Sequence, residues 1–235
     1  MSQQQVPYDY GATGRDYWIA DEGANLRDLT DMDLEWLRHF LSILEEFIRA
    51  KEEQDIAEIK ARARAPVNWA EQYPWQWQDI VGTQLRQSHI VALMSVTERH
   101  LGYTIAEVGA VLSQESPSVT PGKTGKFMER AREFLVDTAN FAKPTRETWD
   151  LVNNLRELRN VLVHCAGLLD DSERAQEVRR FVERTPELEM ESGFVQVTPE
   201  FCQSVQMSIE GFFADLHEQH VALCRRLASA RQVCQ

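Results

Sequence analysis

From Asp31 onward the apolar residues return every three or four positions: Leu34, Leu37, Leu41, Leu44 and Ile48. That spacing predicts a long amphipathic helix over 31–64, with Thr30 or Asp31 as its N-cap and Pro66 closing the run. Its charged remainder, KEEQDIAEIKARAR, reads as a solvated face, and the heptad-like front half could pair with a partner helix. Ahead of it, residues 1–29 keep no sustained period and read as a loosely ordered arm. Its Tyr8, Tyr10, Tyr17 and Trp18 are more simply anchors to the arm's own domain than a base-stacking platform.

The same arithmetic continues along the chain. WAEQYPWQW (69–77) reads as a connector plugged into the core by its aromatics. A second long helix follows over 78–113, carried by Ile90, Leu93, Met94, Val96, Leu101, Ile105, Val108 and Leu112, with Gly82 and Gly102 as points of bending or close packing. SQESPSVTPGKTG (113–125) breaks the pattern. Its PGKT is not a phosphate loop, because Pro117 stands where the first glycine is needed and no strand precedes it. A third helix, 126–142, ends at Lys143-Pro144. A fourth, about 145–166, starts near Thr145 and closes at Gly167. A charged helix (171–184) comes next. LEMESGFVQVT (188–198) alternates around Ser-Gly as a small hairpin, and a last helix runs from Thr198 or Pro199 to 230. The expected fold is all-α with one small β-hairpin inserted before the last helix.

Composition narrows the class. With 43% hydrophobic and 26% charged residues the chain is of ordinary globular type, and its length suits one domain carrying an extension. No stretch approaches the ~20 consecutive apolar residues of a membrane span. The four cysteines, Cys165, Cys202, Cys224 and Cys234, form no CxxC pair, and the N-terminus has no signal-peptide pattern, so a cytoplasmic location is expected. The net charge of −12 is concentrated at the front: residues 1–85 hold 8 Lys+Arg against 16 Asp+Glu, a balance of −8. Such acidity argues against a broad polyanion-binding surface and leaves room for a small local phosphate site.

The fourth helix carries the candidate chemistry. On the helix that holds LRELRNVLVHCAG (155–167), Leu151, Leu155, Leu158 and Leu162 lie within about 60° of one another, while Asn153, Arg156, Asn160 and His164 gather within about 80° on the far side. Arg159 sits between the two stripes. A solvated outer face explains such polar residues equally well, and His164 suits a helix C-terminus. Yet arginine offers a fixed fork for a phosphate, and histidine moves protons near neutral pH. Elsewhere, His217, His220 and Cys224 share a helix face, but no fourth metal ligand is evident. Cys165 points about 100° away from His164 and makes no nucleophile–base pair with it.

RNVLVH, Arg159 to His164, together with the following HCAG and the upstream VALMSVTERHL (91–101), resembles the HEPN superfamily (higher eukaryotes and prokaryotes nucleotide-binding domains). The resemblance covers about residues 85–228 and divides the chain into an N-terminal extension, 1–84, and a HEPN-like helical bundle, 85–235. It implies a homodimer in which two motif helices face one another across a composite cleft, with Val161 and Val163 suited to the contact. It further implies metal-independent cleavage of single-stranded RNA, without a cofactor, in a toxin–antitoxin or antiviral defence setting, with an antitoxin or defence protein as partner. By role, His164 would act as general acid or base and Arg159 would stabilise the phosphorane. Asn160 would orient the phosphate or His164, with Glu98 and Arg156 in support. The resemblance also admits a catalytically silent module that dimerises or binds a nucleotide or protein.

Overall fold

The computed structural model describes residues 22–62, 76–114, 117, 127–169 and 173–233. The aromatics of the first 21 residues, nearly all of the tryptophan-rich connector and the PGKT segment lie outside them. The chain folds as α1 (Glu22–Arg62), a π-helical segment (Gln76–Gly82) running into α2 (Thr83–Leu112), α3 (Phe127–Glu133) with a π-helical end (Phe134–Thr138), α4 (Arg146–Cys165), α5 (Glu173–Arg184), strands β1 (Leu188–Glu191) and β2 (Phe194–Val197), and α6 (Pro199–Val233). The expected all-α architecture with one hairpin before the last helix is what is observed. No helix among the described residues is long and apolar enough to cross a membrane.

α2 is the axis of the bundle: α1, α4, α6 and β2 all pack against it. Ile90, Leu93, Met94, Leu101, Ile105 and Val108 are wholly buried along it. Of its buried threonines, Thr97 and Thr104 donate to the carbonyls of Leu93 and His100 one turn earlier, while Thr83 at its start donates to Gln196 Oε1 of β2 at 2.9 Å. α1 is joined to this core by Leu34 and Leu41, so the helix read as an extension shares the hydrophobic cluster of the remaining helices.

Several boundaries differ from the sequence expectation. α1 begins at Glu22, nine residues before Asp31. Thr30 is therefore no N-cap: it is buried inside the helix, donating to the carbonyl of Leu26 and meeting His100 Nδ1 at 3.1 Å. Leu26 and Thr30 extend the buried stripe of Leu34 backward by two turns. The third helix gives way at Thr138 rather than 142, and Asn140 takes a left-handed conformation. The π-helical entry to α2 has a visible partner. The buried Arg86 guanidinium donates to the Gln78 carbonyl and side chain, and grips both Glu45 oxygens at 2.7 and 2.8 Å. A Cβ on Gly82 would lie 2.8 Å from that guanidinium and 2.9 Å from the Trp77 carbonyl, so glycine is required there.

His89 and His217 are buried, and neither ring nitrogen of either has a hydrogen-bond partner among the described residues. Burial pushes both down to about 4, against weaker upward pulls from Glu45 and Asp31 respectively. A lowered folded value means that only the unfolded chain binds a proton between pH 6.5 and 4. Stability is therefore intact above pH 6.5 and falls through that window, by up to about 3 kcal/mol per histidine. Urea unfolding followed across pH 4–7 is expected to show this slope, and His217→Phe is expected to flatten it. An unchanged slope in both His217→Phe and His89→Leu would contradict the assignment.

Candidate active site

α4 owes its start to Thr145, whose extended backbone and hydroxyl cap the first turn by accepting from the Thr148 amide at 3.5 Å. Trp149, Val152, Leu155, Leu158, Val161 and Leu162 bury the inner face. The helix ends in two successive left-handed residues, Ala166 (φ 49°) and Gly167 (φ 83°), so the reversal begins one residue before the glycine that the sequence nominated. The Gly167 amide donates back to the Val161 carbonyl at 3.3 Å, closing the end in the manner of a Schellman turn.

This end is tied to the hairpin. The Val195 amide donates to the Gly167 carbonyl and the Leu169 amide to the Gly193 carbonyl, each at 3.0 Å, and Leu168 bridges Phe194. Buried Gln87 of α2 donates to the Val195 carbonyl at 3.0 Å, and a Cβ on Gly167 would meet its amide nitrogen at the same distance. The last turn carrying His164 is thus fixed by backbone pairing to an element thirty residues away in sequence.

Glu98, Arg156 and Arg159 form one cluster across α2 and α4. Arg159 Nη2 donates to Glu98 Oε2 at 2.6 Å, and Arg156 Nε lies 3.4 Å from Glu98 Oε1. Arg156 also reaches Glu157 at 3.4 Å. Two guanidiniums three residues apart on one helix share a single carboxylate from the neighbouring helix, at a half-buried position where the pairing is worth more than on an open surface. Arg159 Nη1 donates to Asn160 Oδ1 at 3.2 Å. The guanidinium has five N–H donors, so donors remain beyond these two bonds.

His164 stands apart from the cluster and is exposed. Five residues separate it from Arg159, which turns the two side chains about 140° apart around the helix axis. Asn160, one turn before His164, lies between them and is bonded to the arginine. One chain therefore offers an anchored guanidinium and an exposed imidazole on different sides of one helix, with no hydrogen bond joining them. Of the two valines expected beside a second copy, Val161 is buried in the chain's own core, in the same hydrophobic cluster as Leu158 and Leu162. Val163 alone is open, at 50% exposure. Val161 is covered because a helix as deeply seated as α4 buries more than its leucine stripe.

Glu157, which pairs with Arg156, and Gln87, which braces Val195, also belong to the site. Neither has a local signal, since their contacts depend on which helices meet. His217 and His220 face the interior, and among the described residues no three His, Cys, Asp or Glu side chains are grouped as a metal ion would require. Burial pushes the Cys202 thiol up to about 12, which makes it unreactive. No family model, no characterised protein and no solved structure matches this chain.

The cluster makes a measurable claim on stability. In a double-mutant cycle of Glu98→Gln and Arg159→Ala, urea unfolding is expected to give each single variant a loss of about 1–3 kcal/mol, with a coupling of about 1 kcal/mol or more. Additive losses would mean that the carboxylate does not hold the guanidinium.

Proposed function

We propose that this chain is a HEPN-type, metal-independent endoribonuclease acting on single-stranded RNA as a homodimer, in a toxin–antitoxin or antiviral defence role. The observation that carries the reading is the arrangement on α4. Arg159 is clamped by Glu98 with N–H donors to spare, while His164, exposed and set in a braced helix end, is accessible to a substrate. The resemblance of RNVLVH to the HEPN motif supplies the reaction class.

The chemistry is transesterification. The ribose 2'-hydroxyl attacks the adjacent phosphorus while a histidine takes its proton, and the bond to the 5'-oxygen breaks as that oxygen receives a proton. The products are a 2',3'-cyclic phosphate and a 5'-hydroxyl. One proton is removed and one delivered, so two imidazoles serve better than one, and His164 from each of two facing α4 helices would provide them. Arg159 would stabilise charge on the phosphorane's equatorial oxygens. The wide angle between Arg159 and His164 within one chain favours this composite cleft, in which one copy's arginine works with the other copy's histidine. Val163 would lie in the contact between them.

Labelled single-stranded RNA incubated with the protein in EDTA is the test. Cleavage to a 2',3'-cyclic phosphate is expected. His164→Ala and Arg159→Ala should each lower the rate about 100-fold or more, and a 2'-deoxy residue at the scissile position should block it. Equal cleavage by wild type and both variants would sink the proposal, as would a monomeric mass in solution.

A further inference from the structure

α1 has two apolar faces, and apart from an edge contact of Phe47 with the Trp77 ring at 6.1 Å the described residues of the bundle cover only one. Leu26, Leu34, Leu41, Leu44 and Ile48 are buried against the body. A second row, Leu29, Met32, Trp36, Phe40, Ile43 and Phe47, is 43–64% exposed, with Trp36 the most open. Its spacing of 3, 4, 4, 3 and 4 keeps it within about 80° of arc, on a line roughly 115° round from the buried stripe. The row is about 27 Å long. Six roughly half-exposed side chains of this size present on the order of 600 Å² of apolar surface, the upper end of what a soluble monomer ordinarily shows. A standard interface takes about 800 Å² from each partner, so this row is nearly sufficient for one.

The charges beside the row select among occupants. Asp28, Glu35 and Glu46, all exposed, run along its outer edge, about 80–105° from its centre, where the e and g residues of a paired helix stand. Arg27, Arg38 and Arg49 lie on the opposite side of the helix, and Lys51, one turn beyond Phe47 on the inner edge, donates to Gln54. Arg27 and Arg38 are already paired, with Asp31 and Glu210. On the inner edge Asp33 is held by Arg99 and His100. A second copy docked antiparallel through the same row would bring Asp28 against the copy's Glu46 and Glu35 toward its own twin. Like charges along one seam oppose that pairing. A parallel copy would set the acidic edge against α2's side of the helix, where the body of the protein stands.

We propose that this face of α1 docks an amphipathic helical segment of another protein, one with an apolar seam of about five turns flanked by lysine or arginine. Trp36 and Phe40, at the middle of the row, are its anchors. The inference is independent of the ribonuclease reading, since it involves neither Arg159 nor His164.

The probe is a labelled 22-residue synthetic peptide with a leucine–isoleucine seam and lysine flanks, titrated by fluorescence anisotropy against the full chain. A twin peptide with the same seam and glutamate flanks is run beside it. Saturable binding of the lysine peptide is expected, at least tenfold tighter than its twin and weakened as salt rises. Trp36→Glu with Ile43→Glu should abolish it, and reversal of the edge, Asp28→Lys with Glu35→Lys and Glu46→Lys, should invert the preference. All these positions are exposed, and unchanged thermal unfolding verifies that the variants fold. Equal binding of the two peptides, or none, overturns the proposal. So does a dimer that Trp36→Glu with Ile43→Glu converts to monomer, which would assign the face to a second copy.

Discussion

A helix packed by neighbours on several sides has almost no place for an unsatisfied polar group, and α2 is such a helix. α1, α4, α6 and β2 all pack against it, and its buried polar side chains are answered within reach, save His89, whose ring nitrogens have no partner among the described residues. Thr97 and Thr104 return their hydroxyls to their own helix, Arg86 is enclosed by Glu45 and Gln78, and His100 meets Asp33 and Thr30. Glu98 gives α2 a role at the candidate site. It sits where the helix approaches α4, and it answers two arginines there. The direction of Arg159 is thus a consequence of how α2 is buried, and not of α4 alone.

Local signals were legible in the sequence, and contacts between distant elements were not. The leucine seam of α4, its Thr145 cap and the Ser-Gly hairpin all follow from residues within one turn or two strands of each other, and each was readable at nearly the right boundary. Thr30 misled because a threonine before an apolar run has the form of an N-cap. Only the presence of His100 across the interface reveals it as a buried interior residue. Val161 misled for the opposite reason: its angular position beside the polar seam says nothing of the depth to which neighbouring elements cover it. At the candidate site, the sequence nominated Glu98, Arg156, Arg159, Asn160 and His164 but not their directions. The sharing of one carboxylate by two arginines, and the brace from Val195 to Gly167, needed the packed chain.

Net charge is a weaker objection to an anionic substrate than its size suggests, because charge acts over a limited range. The screening length at physiological ionic strength is about 8 Å, while two packed helix axes are already about 8–10 Å apart. α1 packs on α2 and α6 rather than on α4, so the acids on its outer edge contribute little to the potential at Arg159. The nearer acids decide more. Glu98 and Glu157 offset the two arginines, and exposed Glu189 and Glu191 lie on the outer face of the hairpin with Phe194, which bridges Leu168 just beyond His164. An RNA strand reaching His164 would meet that negative hairpin on one side and Asn160 with the remaining donors of Arg159 on the other. Its phosphates would therefore be steered toward the middle of α4, the side where a second copy's motif helix would have to stand for the proposed cleft to close.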